Sequence, residues 1–247
     1  MAKTVFILGA GSSAMAGAPL MATFLDVAHE LWQQGKVNDS VASFKAVFDG
    51  IDQLQQVHSK AQLDIQNLDF NGLIPGLVSK KFDMVSVGLS ATPERKKSIN
   101  FSRAYVPYAQ ILAAGVSDTT AATIAAWNTS GKTITSLQGS TAEQLVQKTF
   151  PNAKSASFPD QNAAFLEVAT GRANGIVVEN YLLAQFNKSN SNKLKEVPFA
   201  KPLHVEYGSY GVQKGNTKLA AGLSAFICKM QKSGQLAAIY KSTIGAE

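Results

Sequence analysis

The residues best equipped for chemistry lie in "VGLSATPERKKSINFSRAYVPY" (87–108). Thr92-Pro93 is a helix-start signal, with threonine as N-cap and proline as the first helical residue. That spacing puts Arg95 in the first turn, where backbone N–H groups point outward unpaired. The helix dipole disfavours a cation there unless an anion is present. A guanidinium following the Gly88-Leu89-Ser90 turn is therefore suited to trap a carboxylate by both oxygens, with the Ser90 hydroxyl and nearby amides completing the shell. A surface arginine in a turn rich in Lys and Arg would have the same local sequence, and the residues by themselves leave both readings open.

Two further stretches have matching chemistry. In "QGSTAEQL" (138–145), Ser140 and Glu143 form a capping box and Gly139 lets a ligand approach the backbone. Capping boxes are common in purely structural helices, so this one is equally a helix start and nothing more. "GIVVEN" (175–180) places Glu179 just past a buried strand, where ligands of open α/β sheets sit. A carboxylate there can pair with an ammonium group or form a structural ion pair. Taken together, an arginine for a carboxylate and an acid for an amine describe a zwitterionic ligand.

The remaining reactive residues narrow the field. The single cysteine, Cys228, excludes an internal disulfide and any cysteine-rich metal site, and its place in "LSAFICKMQK" reads as a structural thiol on an apolar helical face. The three histidines, His29, His58 and His204, are scattered without ligand spacing, so no metal site is expected. The net charge of +6 is carried by short pairs such as Lys80-Lys81 and Lys96-Lys97, with no basic stripe interleaved with aromatics. Nucleic acid is therefore not an expected partner. Beyond the first residues, no apolar run is long enough to cross a bilayer.

The elements that must position these residues alternate along the chain. Residues 4–8 read as a strand, and 19–60 carry helical patterning. "LDIQNL" alternates as a strand, "NGLIPGLVSKK" reads as a short helix, and "FDMVSVG" as a buried strand. "TAEQLVQKTF" and "QNAAFLEVATG" read as helices, "GIVV" as a strand, and the carboxyl end as two helices separated at Gly234. Such alternation indicates an α/β architecture with parallel sheets, and 247 residues suffice for one large domain or two small ones.

From about Leu63 to Gly245 the chain resembles the periplasmic substrate-binding proteins of polar amino-acid ABC transporters. The resemblance rests on "DFNGLIPGLVSKKFDMVSVGLSATPERKKSINFSRAYVPY", "LQGSTAEQL", "FPNAKSASFPDQNAAFLEVATGRANGIVVEN" and "YGVQKGNTKLAAGLSAFICKMQKSGQLAAIYKSTIG". It implies a two-lobed periplasmic-binding-protein-like fold of type II, each lobe a mixed, mostly parallel sheet flanked by helices. Lobe one would comprise 1–112 and 208–247, with 1–62 atypical, and lobe two 113–207. The implied ligand site contains Arg95 as the carboxylate clamp, Gly88 and Ser90 as backbone and hydroxyl contacts, and Phe70 as an aromatic wall. Gly139 and Thr141 would contribute from lobe two. Glu179 stands where the family usually has an aspartate for the amino group. The resemblance implies a monomeric, non-enzymatic protein without cofactor, partnered by a small ligand and a transporter permease, and periplasmic. Cyclohexadienyl dehydratases, which look like members of this fold turned enzymes, use a glutamate in this region as a general acid; in that alternative Glu179 would be catalytic.

Residues 1–62 lack the aromatic lid and the Gly-Phe-Asp-x-Asp helix with which that family opens. "FILGAGSSAMAGAP" followed by "LMATFLDVAHEL" resembles instead the start of sirtuin-like NAD-binding domains. That resemblance implies a chimeric chain and, as a third reading, an NAD-dependent hydrolase using Gly9, Gly11 and Ser12. Lys3, the apolar run and Ala14-Met15-Ala16 also imitate an export signal weakly, leaving a cytoplasmic location open.

Overall fold

Two long strands carry the architecture of the computed structural model, which describes residues 4–8, 63–191 and 193–243. In chain order the elements begin with β1 (Thr4–Leu8), β2 (Leu63–Gln66), α1 (Phe70–Val78), β3 (Met84–Ser90), α2 (Pro93–Ser98), β4 (Ile99–Phe101) and β5 (Val106–Gly115). They continue with α3 (Ile124–Trp127), β6 (Thr133–Leu137), α4 (Thr141–Thr149), β7 (Lys154–Phe158), α5 (Gln161–Ala169), β8 (Gly175–Glu179) and α6 (Asn180–Ser189). The last are β9 (Leu194–Glu196), β10 (His204–Gln213), α7 (Thr217–Lys232) and α8 (Gln235–Thr243).

The strand order is β2-β1-β3-β10-β5-β8-β6-β7, with β4 paired to β10 and β9 to β5. On one flank β1 pairs parallel with β2 and β3; on the other β6 pairs parallel with β7 and β8. Every antiparallel pairing among the described residues involves β5 or β10. The sheet is thus parallel on each flank, where helices cross over, and antiparallel through the two long central strands.

Side-chain alternation explains how β5 and β8 are buried on both faces. Ile111, Ala113, Ile176 and Val178 pack under α5 and α6 with Ala164, Phe165 and Phe186. Their neighbours Leu112, Ala114 and Val177 point the other way, to Trp127, Ile134, Val146 and Phe150. A period of two with both phases apolar is the signature of a strand covered on each side. A third cluster, with Leu73, Leu77, Phe82, Val85, Leu89 and Ile99, seats α1 against β3.

Helix starts follow their predicted chemistry. Thr92 caps α2 by accepting from the Arg95 amide at 3.2 Å, with Pro93 at the first position. Ser140 caps α4 by accepting from the Glu143 amide at 3.2 Å. The return arm of the expected capping box is shifted by one residue: Glu143 Oε2 accepts from the Gly139 amide at 2.7 Å. Gly139 has φ +74°, and the Ser140 N–H donates instead to the Leu137 carbonyl at 3.3 Å. The helical expectation for 19–60 lies outside the described residues. Cys228 is half-buried and free.

Candidate ligand-binding site

A polar stripe crosses three adjacent central strands. Cross-strand register sets Glu206 of β10 opposite Tyr108 of β5, and Gln110 of β5 opposite Glu179 of β8. Tyr108 and Gln110 are two residues apart and share a face, so all four side chains gather on one side of the sheet. The carboxyl end of β3 and the first turns of α2 and α4 close over them.

Arg95 sits at the centre of this closure. Its Nη1 donates to the Ser90 carbonyl and its Nη2 to the Gly139 carbonyl, each at 3.1 Å, so one guanidinium bridges the end of β3 and the turn before α4. The same guanidinium lies 5.4 Å from the centroid of the Phe70 ring, a cation–π distance. Burial lowers the Arg95 pKa, while Tyr108, Glu206 and Glu179 draw it up. Two N–H groups of the five are spent on carbonyls, leaving donors for an anion.

Around it, a hydroxyl cluster converges on one carboxylate oxygen. Glu206 Oε2 accepts from Thr141 Oγ1 at 2.8 Å, from Tyr108 OH at 3.3 Å, and from Ser90 Oγ. Tyr108 OH also lies 2.5 Å from Ser90 Oγ and donates to the Gly88 carbonyl at 2.8 Å. Gln110 Nε2 donates to Thr141 Oγ1 at 3.1 Å and to Glu179 Oε1 at 3.4 Å. The other amide atom, Gln110 Oε1, is buried with no donor among the described residues.

The electrostatics are unbalanced. Among the described residues neither Glu179 nor Glu206 forms an ion pair, the pairs there being Lys97–Glu94, Lys132–Asp118 and Arg172–Glu167. Desolvation, aided by the Glu206 charge and opposed by a backbone hydrogen bond and Arg95, holds the Glu179 carboxyl up at about 7. Desolvation also raises the Tyr108 and Tyr181 hydroxyls, which therefore stay protonated as donors. Tyr181 stands edge-on to Tyr108, ring centroids 6.1 Å apart, and closes the space over Gly88.

All seven residues expected at the site come together. Ser90, Arg95 and Gly139 join directly, Phe70 lies under Arg95, and Gly88, Thr141 and Glu179 join through Tyr108, Glu206 and Gln110. Those last three, with Tyr181, are absent from the sequence reading. Gln110 had a readable signal, being an amide directly before the apolar run "ILAAG" on a strand that is otherwise apolar there; Glu206 had none, because its partners lie in other elements. Gly9, Gly11 and Ser12 lie outside the described residues. A cavity of about 930 Å³ opens beside β10 and α2, sharing Ser90 and Glu206 with this cluster but not Arg95 or Glu179. The hydrogen-bonded cluster, rather than that broad groove, concentrates the charged groups. Among the described residues no group of His, Cys, Asp and Glu could hold a metal ion.

A mixed α/β sheet with Arg, two Glu and a set of hydroxyls gathered at its central strands defines a periplasmic-binding-protein-like protein with a polar site. The profile of bacterial extracellular solute-binding proteins, family 3, matches residues 49–246, and the chain belongs to that family. It is 29% identical over 131 residues to ABC transporter arginine-binding protein 1 of Escherichia coli (strain K12), covering 53% of this chain and 52% of that protein. Identity to the ABC transporter glutamine-binding protein GlnH of Bacillus subtilis (strain 168) is 27%, over 69% of this chain and 61% of the relative. These matches thus span about half to three fifths of the relatives' own length. An ancestral arginine-binding protein bound to glutamine superposes with a TM-score of 0.74 at 24% identity, over 100% of both chains.

Each of these proteins is named for binding, and the family to which the chain belongs is one of solute-binding proteins. The dehydratase alternative receives no support from them. The comparisons give no evidence for a sirtuin-like segment in residues 1–62. The expected chimera and its NAD reading thus gain no support, since local likeness of a Gly-Ala-Gly stretch carries little weight by itself.

Proposed function

We propose that the chain is the ligand-capturing component of an amino-acid ABC transporter, holding an α-amino acid by its carboxylate and ammonium groups. The observation that carries this reading is Arg95, whose guanidinium is anchored between the Ser90 and Gly139 carbonyls over Phe70 with N–H groups to spare. Arg95 clamps the carboxylate, and Glu179 receives the ammonium, one methylene longer than the aspartate expected there. Ser90, Thr141 and the Gly88 carbonyl complete the polar shell, and Phe70 gives an apolar wall. The arginine- and glutamine-binding relatives support an amino acid as ligand.

The same reading divides the chain into a lobe of 1–112 with 208–247 and a lobe of 113–207. Both boundaries fall within β5 and β10, the strands through which all antiparallel pairing among the described residues passes. Ligand closes the lobes, and the closed monomer docks on a membrane permease outside the cytoplasmic membrane, in keeping with the extracellular character of the family.

Isothermal titration calorimetry of the wild type and Arg95→Ala against the common L-amino acids tests the proposal. Loss of a bidentate carboxylate contact weakens binding by roughly a hundredfold or more. Unchanged affinity in Arg95→Ala would remove the central argument.

A further inference from the structure

Resting on that reading of the site, we infer that Glu206 makes it selective for an amino acid whose side chain bears a second cation. Arg95 and Glu179 suffice for the two charges of an α-amino acid backbone. Glu206 is a further carboxylate, and it faces the same space: its Oε2 is held by Thr141 Oγ1 at 2.8 Å and Tyr108 OH at 3.3 Å, with Ser90 Oγ beside it. No lysine or arginine forms an ion pair with it among the described residues. Hydroxyl contacts alone leave the charge of a half-buried carboxylate costly to hold, and a cationic group in contact with it offsets that cost.

Proton bookkeeping points the same way. Ser90, Tyr108 and Thr141 bring one hydroxyl proton each, fewer than the oxygen pairs at hydrogen-bond distance that they would have to bridge. Gln110 Oε1, on the amide that touches Thr141 and Glu179, is a buried acceptor with no donor among the described residues. The cluster is therefore rich in acceptors and poor in protons. A guanidinium or ammonium group, which only donates, satisfies both deficits; a neutral amide side chain brings no charge and a further acceptor.

The hydroxyls define what Glu206 does. They fix its carboxylate across β3, β5 and α4, so selectivity comes from a charge held in place rather than from a flexible surface acid. This makes Glu206 a specificity-determining residue set on the central strand β10, apart from the Arg95 clamp.

Calorimetry of the full chain with L-arginine and L-citrulline tests this, since the two share length, carboxylate and ammonium but differ in side-chain charge. The wild type should bind arginine at least about tenfold more tightly. Glu206→Gln should bring the ratio near one by weakening arginine far more than citrulline. Glu206→Asp, checked for folding by circular dichroism together with Glu206→Gln, should keep part of the preference because it keeps the charge. Equal binding of both ligands by the wild type, or an unchanged ratio in Glu206→Gln, overturns the inference while the amino-acid reading stands. A wild type that binds neither these nor any other amino acid overturns both. Should Glu206→Gln not fold, an unaltered arginine-to-citrulline ratio in a folded Glu206→Asp would refute the inference, and a diminished one would support it.

Discussion

Glu179 makes the stability of the ligand-free protein depend on pH in an unusual direction. Its carboxyl is raised from 4.5 to about 7, first by loss of water and then by the nearby Glu206 charge, against the pull of a backbone hydrogen bond and Arg95. In the unfolded chain it ionises at its ordinary value. Between the two values the native state holds a proton that the unfolded state has released, so stability falls as pH rises. The contribution is fully present below pH 4.5, declines at about 1.4 kcal/mol per pH unit, and is gone above about 7. The total is roughly 3 kcal/mol, a visible part of the 5–15 kcal/mol typical of a folded domain. Urea unfolding at intervals from pH 4.5 to 8, on the wild type and Glu179→Gln, isolates it. The wild-type midpoint should drop relative to the variant by about 1 M or more across that window. The amide cannot ionise, and it still accepts from Gln110, so the difference between the two curves reports the carboxyl alone. Parallel curves for the two proteins would refute the reasoning. Acid groups with lowered values, such as Asp118 near Thr120 and Lys132, act below this window and with the opposite sign.

Binding of a cationic amino acid should strengthen from pH 5 to 7.5 as Glu179 becomes available in its charged form, and calorimetry in buffers of different ionisation enthalpy should detect proton release at pH 6. Gly139→Ala should lower stability by about 1–2 kcal/mol, a few degrees in Tm, because φ is +74° and an added Cβ runs into Asn71 Oδ1. Phe165→Ala, which empties the stack on Phe186 at 4.4 Å, should cost about 3–5 kcal/mol in urea unfolding without altering ligand selectivity. Ser140→Ala removes the cap of α4 and should cost about 1 kcal/mol by the same measurement.

What could be read from the sequence was what depends on neighbours along the chain. Thr92-Pro93 announces α2 because capping is a four-residue affair, and Arg95 follows in the first turn by counting. The strands "FDMVSVG" and "GIVV" are legible as apolar runs closed by polar residues, which places Ser90 and Glu179 at strand ends. The chemistry of Glu206 is different in kind. It lies in "HVEYGSYG", where alternation gives it no more weight than any exposed strand acid. Its importance comes from partners 116, 98 and 65 residues away, brought within reach by the pairing of β10 with β3 and β5. Register across a sheet decides which polar side chains share a face, and a single strand carries no record of its register. Tyr108 shows the consequence. It closes a stretch whose arginine and serine already drew attention, but only opposite Glu206 does its hydroxyl become part of the site. A zwitterion trap could therefore be inferred from local motifs, whereas the charge that selects among zwitterions lies in the topology.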